Sequence, residues 1–283
     1  MRFALIDNVQ TEAKPGLKGV CPGCSQIVIA KCGKQRVHHW AHSRNKMCDS
    51  WWEPETEWHR SWKSNYSVEW QEVFLPDEDS GEKHIADIQT SHGLVIEFQH
   101  SHIDPQKRIS RENFYNNMVW IVDGTRLKRD YPRFLKRKED FQLVKKGIFQ
   151  VDFLDECFPT AWLESSVPVI FDFRGLELIK DNNDIRNLLY CLLPIRIGRY
   201  AIIAEISRKG FISSTINGEW LTRYSQFMDD LSQVKREWQN QIASQQLQTK
   251  SLAVRNKRRR GPLINYIEKR EFSRQYKPRR KGR

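Results

Sequence analysis

Residues 84–99, HIADIQT–SHG–LVIEFQ, constrain this chain more than any other stretch. Two alternating runs flank a short polar turn, which predicts two strands joined through Ser91, His92 and Gly93. A three-residue loop makes Thr90 face Leu94, and register then sets Asp87 directly opposite Glu97. Alternation puts Asp87, Glu97 and Gln99 on one face and Ala86, Ile88, Ile96 and Phe98 on the other, which reads as the core face. Opposed residues have Cβ atoms roughly 4.5–5.5 Å apart, and like charges at that spacing are destabilising. A divalent cation would remove the penalty. Oxygen ligands suit Mg²⁺, or Mn²⁺ in its place, so Asp87 and Glu97 are the candidate ligands, with Gln99 placed to orient a water. That set fits metal-assisted phosphodiester hydrolysis. A solvated polar face of a hairpin explains the same acids without a metal, and the pattern alone leaves both readings open.

The flanks extend the unit. WWEPETEWHRSWKSNY predicts a helix from about Pro54, with Glu53, Glu55 and Glu57 suited to its positive end. Glu57 is a candidate further acid of the metal site, or an acid that only suits the helix end. His59 and Lys63 lie four apart on one helix face and are candidate phosphate contacts, with simple surface solvation as the alternative. WQEVFLP reads as a strand. Asp104 as N-cap and Pro105 in the first turn predict a helix over PQKRISRENFYNNM, and MVWIVDG reads as a strand stopped by Gly124. The order is helix, strand, strand, strand, helix, strand, and the last three elements form a crossover with parallel strands.

Upstream, Cys21-Pro-Gly-Cys24 has the spacing of a metal knuckle, followed by His39 and His42. These four are the candidate Zn²⁺ ligands. His38 would restore a gap of three before His42, Cys48 is another candidate for the fourth place, and Cys32 is a weaker one. The segment has few apolar residues, so a structural metal would supply folding energy. Cys157 and Cys191 stand in apolar surroundings and read as core thiols.

The chain divides into a zinc-ribbon-like segment (1–50), a compact α/β unit (51–124), a mixed extension (125–215), a long amphipathic helix (216–252) and a basic tail (253–283). In the extension, VPVIFDF and RYAIIAEIS read as strands, while IRNLLYCLLPI is compatible with helix or buried strand. Trp220, Tyr224, Phe227, Leu231, Val234 and Trp238 follow heptad spacing, so the helix over 218–242 either packs on its own domain or meets a protein partner or a second copy. Fourteen of the 47 Lys and Arg but only two of the 35 Asp and Glu lie in residues 250–283, so the rest of the chain is balanced. Such a tail, interleaved with Tyr266, Phe272 and Tyr276, suits nucleic-acid phosphates and stacked bases. No run approaches the ~20 apolar residues of a membrane span. No secretory signal is evident, and a cytoplasmic protein is expected.

Five segments in order, HWAH, ETEWHRSWK, GEKHIADIQT, GLVIEFQHSHI and RENFYNNMVWIVDG, resemble the competence protein CoiA-like nucleases of the PD-(D/E)xK superfamily. The resemblance covers about residues 19–124. It implies an α/β, restriction-endonuclease-like αβββαβ core and a metal-dependent deoxyribonuclease acting in DNA uptake, recombination, mobile-element or defence contexts. Asp87 and Glu97 correspond to the metal acids and Glu57 to the acid of the first helix. Gln99 stands where the superfamily name has lysine, as is common in the CoiA-like group. Arg111 and Tyr115 fall on the following helix. A non-cleaving DNA-binding accessory or scaffold protein and an RNA nuclease remain the competing expectations.

Overall fold

A computed structural model describes residues 1–43, 49, 51, 53–77, 81 and 83–275, with side chains through 250 and at 252. The architecture is mixed α/β. The first sheet holds β1 (Phe3–Ile6), β2 (Val9–Glu12), β3 (Lys18–Val20), β4 (Ile27–Lys31) and β5 (His39–His42), antiparallel in the order β2-β1-β3-β4-β5. Asp7 and Asn8, at φ 50° and 63°, make the tight β1–β2 turn. Short polar side chains tolerate that left-handed backbone. Met1, Ala4, Ala13, Cys21, Val28 and Trp40 form the core of this module.

The core elements expected from the sequence follow: α1 (Glu57–Lys63), β6 (Gln71–Pro76), β7 (Lys83–Gln89), β8 (Val95–Gln99), α2 (Pro105–Tyr115) and β9 (Met118–Asp123). Then come α3 (Asp130–Lys138), β10 (Gln142–Lys145), β11 (Ile148–Val151), β12 (Val169–Asp172), β13 (Leu188–Ile197), β14 (Tyr200–Ser207), α4 (Arg208–Ile216) and α5 (Glu219–Gln275). The nine strands β6–β14 form one mixed sheet in the order β10-β11-β14-β13-β12-β9-β8-β7-β6. β9 pairs in parallel with β8 and with β12. The ambiguous run IRNLLYCLLPI is largely strand β13, a central strand buried along most of its length.

The β7–β8 register is Ile88↔Ile96 and Gln89↔Val95, with the Thr90 amide bonded to the Leu94 carbonyl at 2.9 Å and Gly93 at φ 79° in the loop. This is the expected loop and frame. The alternative of a solvated polar face does not hold on β8, since every residue of that strand is buried, while Asp87 on β7 is half-buried. Its sheet neighbours are β7 and β9, and Phe98 packs against Trp58 and Trp62 of α1 while Arg111 of α2 reaches Glu97.

Helix α1 starts three residues later than Pro54. Thr56 is its N-cap: the Thr56 hydroxyl accepts from the His59 amide, and His59 Nδ1 accepts from the Thr56 amide at 3.1 Å. This is a capping box with histidine at the third position. Glu53 and Glu55 therefore lie on the extended approach to the helix. His59 and Lys63 are buried, so the surface expected for them does not exist.

The two sheets meet at β6 and β7, whose Phe74 and Ile85 pack on the first module's core. Glu72 has φ 53° and interrupts the β6–β7 ladder. Its carboxylate accepts from the Arg2 amide at 2.7 Å and the Phe3 amide at 3.2 Å. The Cys21–Cys24 turn presses on β6, and a Cβ on Gly23 would come within 2.1 Å of the Phe74 ring. By compactness the chain forms two units, 1–229 and 230–283. Within the first, Trp220 packs against Phe211 and Tyr224. Within the second, α5 carries the exposed apolar side chains Val234, Trp238, Ile242, Leu247 and Leu252, and its helix continues past 252 to Gln275. No helix among the described residues is long and apolar enough to cross a membrane.

Candidate functional site

A small cavity of about 60 Å³ lies where β6, β7, β8, α1 and α2 converge. It has room for a few waters or a hydrated ion and is far too small for a nucleotide. Asp87, Glu97 and Gln99 line it, together with Glu53, Glu55, Glu72, Lys63 and Arg111. Glu57 does not. It is exposed on the outer side of α1, in an open cleft with the loop 33–38. The delayed helix start is the reason. With Thr56 as cap, the chain before it runs extended and turns Glu55 inward.

Asp87 and Glu97 replace the strand ladder where they face each other. Glu97 Oε1 accepts from the Asp87 amide at 3.1 Å, and Asp87 Oδ2 accepts from the Phe98 amide at 3.0 Å. Lys63 Nζ lies 2.7 Å from Asp87 Oδ1, 3.2 Å from Glu55 Oε1 and 3.6 Å from Glu72 Oε1, with 3% of its side chain exposed. Arg111 Nη1 approaches Glu97 Oε2 at 3.4 Å, and Nη2 approaches Glu53 Oε1 at 3.6 Å. Gln99 commits its amide nitrogen to Glu53 Oε2 at 2.8 Å and to Ser101. His59 Nε2 lies 3.1 Å from the Phe98 carbonyl oxygen, which fixes that carbonyl from the α1 side.

The electrostatics follow from burial and partners. Burial, reinforced by the Asp87 charge, raises the Glu97 carboxyl to about 8 against the pull of Arg111. Burial also pushes Glu55 upward, but Lys63 and Arg60 outweigh it and hold that carboxyl at about 2. Lys63 would be lowered by burial, yet Asp87, Glu55 and Glu72 together raise it and keep it charged. Burial lowers His59, which suits its neutral capping role.

The donor set suits a hard divalent cation. All its candidate ligands are oxygens, and Glu55 Oε1 is buried with the Lys63 ammonium 3.2 Å away as its ion-pair partner. Glu53, Glu55 and Glu72 are the residues that sequence pattern did not bring to this site. Lys63 was named as a candidate phosphate contact on a helix face, but an ion-pair cluster assembled across distant segments leaves no local signature of its three acidic partners. Asp77, next to Pro76 in a polar loop, stays outside the cavity.

A second cluster lies in the first module. One ligand atom each of Cys21, Cys24 and His42 falls within 4.8 Å of the others, with Cys24 Sγ 3.2 Å from His42 Nε2. Two sulfurs and an imidazole nitrogen can bind a metal such as zinc. His39 is not part of the cluster. Alternation along β5 turns it to the face opposite Trp40 and His42, and its Nδ1 lies 2.9 Å from the Val37 carbonyl oxygen. His38 is exposed, Cys32 packs against the module's core, and Cys48 lies outside the described residues. Cys157 and Cys191 are buried thiols, and burial raises both to about 12.

Two family descriptions match parts of the chain. Residues 10–50 match the family described as competence protein CoiA, N-terminal domain. Residues 60–146 match competence protein CoiA, nuclease-like domain. No curated protein matches the chain, and no solved structure does.

Proposed function

From a chain that carries both CoiA domains, we propose a metal-dependent deoxyribonuclease with a restriction-endonuclease-like αβββαβ core, working on DNA in the cytoplasm in a competence or related setting. The observation that carries this reading is the Asp87–Glu97 pair, two opposed carboxylates at a breach in the β7–β8 ladder with Glu55 and Lys63 beside them. Asp87, Glu97 and Glu55 would hold Mg²⁺ or Mn²⁺. Glu55 takes the role expected of Glu57. A bound divalent cation supplies Lewis-acid polarisation of phosphate and a more acidic water.

The chain's own residues do the rest. Arg111 orients Glu97 from α2, and His59 holds the Phe98 carbonyl from α1. Gln99 carries no charge and is tied to Glu53 and Ser101, so it positions rather than neutralises. Lys63, 2.7 Å from Asp87 Oδ1, would supply the fixed positive charge that glutamine lacks. In the first module, Cys21, Cys24 and His42 would hold zinc in a structural role, with Cys48 as the candidate fourth ligand.

The test is cleavage of labelled linear, circular, single- and double-stranded DNA, with RNA in parallel, in Mg²⁺ or Mn²⁺. Wild type should cut DNA, and Asp87→Ala and Glu97→Ala should not. Salt-sensitive DNA binding without cleavage on any substrate would refute the nuclease and favour an accessory DNA-binding protein. Cleavage confined to RNA would refute the choice of DNA.

A further inference from the structure

A second cleft opens beside the C-terminal end of β12 and the start of α4. Arg174, Arg208 and Lys209 line it, with Asn65, Asn187 and Asn217 between them, and none of its lining residues is acidic. Arg208 is set in place. Its guanidinium is paired with Asp172 and lies 4.3 Å from the centre of the Trp62 ring. Asp172 cannot neutralise the cleft as well. It is fully buried, and its oxygens already accept from Trp58 Nε1 and Trp62 Nε1, each at 3.0 Å, from the Arg174 amide at 3.0 Å and from the Gly175 amide at 3.3 Å.

The Arg174 side chain and Lys209 have no acidic partner among the described residues. The Nε atoms of Arg174 and Arg208 are both buried without an acceptor. Burial lowers Arg174 and the neighbouring Arg208 lowers it further, against an opposing pull from Asp172, so the two guanidiniums lie in each other's field. An anion with several acceptor oxygens would satisfy the exposed N–H groups and screen the repulsion at once.

We propose that this cleft binds a phosphate group of the nucleic-acid substrate, at a distance from the cutting site. Two planar guanidiniums and an ammonium suit the oxygens of a phosphate mono- or diester. Helix α1 and the residues after it connect the two sites: Lys63 reaches the acid cavity, and Asn65, two positions on, lines the cleft. The identity of the polymer rests on the nuclease reading above. The anion site rests only on the cleft.

The test uses the full chain in EDTA, so that binding is read without cleavage. The double variant Arg174→Ala/Lys209→Ala removes two cations that hold no side-chain partner and leaves Arg208 and Asp172 intact. Two probes are used, inorganic phosphate and a labelled oligonucleotide with or without a 5′-phosphate. Inorganic phosphate should raise the thermal midpoint of wild type and not of the double variant. Oligonucleotide affinity should fall about tenfold, and the slope of log K against log salt should shrink by about 1.4–1.8, two phosphate contacts' worth. Loss on both oligonucleotides assigns the site to an internal diester, and loss only on the phosphorylated one assigns it to a terminal monoester. Equal phosphate stabilisation and equal slopes in wild type and variant would overturn the proposal. If phosphate stabilisation is lost in the variant but no DNA is cut under any condition, the anion site stands and the nuclease reading falls.

Discussion

Glu97→Gln gives the sharpest test of the acid cavity, because its effect changes with pH in a defined direction. The native Glu97 carboxyl titrates at about 8, against an ordinary value of 4.5. The folded chain therefore holds this proton more tightly than the unfolded chain does. The stabilisation is fully present below 4.5, and it is lost as pH rises through 8. Between those limits wild type should lose stability relative to Glu97→Gln by about 1.4 kcal/mol per pH unit, or up to about 5 kcal/mol in all. Glutamine keeps the shape and cannot ionise, so its own curve lacks this slope. The assay is urea unfolding of both proteins without divalent cations, from pH 5 to 9. Added Mn²⁺ should restore wild type most strongly at the alkaline end, where the carboxylate is charged, and should do little for Glu97→Gln. A constant difference between the two proteins across that range would refute the assignment of a buried, proton-holding Glu97.

Asp172→Ala removes a fully buried acceptor from two indoles, two amides and Arg208, and should cost about 4 kcal/mol in urea unfolding; a loss below about 1 kcal/mol would contradict the burial. Glu55→Gln should lower DNA cleavage on the order of 10²-fold while Glu57→Gln stays within about twofold, and the reverse order would return the site acid to the helix. Elemental analysis should find zinc in wild type and His39→Ala but not in His42→Ala, since only His42 lies with the two sulfurs. Gly23→Ala drives a methyl into the Phe74 ring and should destabilise by about 2 kcal/mol, which thermal unfolding can read directly.

Much of the nuclease-like region was legible because its signals are local. The period-two alternation of residues 84–99 and the Ser91–Gly93 loop fix the register, and register alone sets Asp87 against Glu97. Asp104 and Pro105 mark the start of α2, and its N-cap geometry agrees. What escaped has physical causes. Strand β13 is buried along most of its length and so shows no alternation to separate it from a helix. The acids at 53, 55 and 57 look alike as charges near a helix end, and only the cap at Thr56, closed by a histidine instead of the usual glutamate, separates the inward Glu55 from the outward Glu57. The choice between His39 and His42 was available from HWAH itself, since a buried Trp40 shares its strand face with His42 and not with His39.

The seam between the two sheets bears on how any inhibition experiment should be interpreted. Met1 lines the acid cavity and lies with its sulfur 3.7 Å from Cys21 Sγ, while the next two backbone amides grip Glu72, which itself faces Lys63. A thiol cluster and an oxygen cavity thus share one short stretch of backbone. With both sites filled as proposed, a general chelator would draw on both, and activity lost in EDTA would not tell which metal had been removed. Recovery would tell them apart: a chain whose thiol site has collapsed needs zinc and time to refold, whereas one that lacks only its hard cation should regain activity as fast as magnesium mixes.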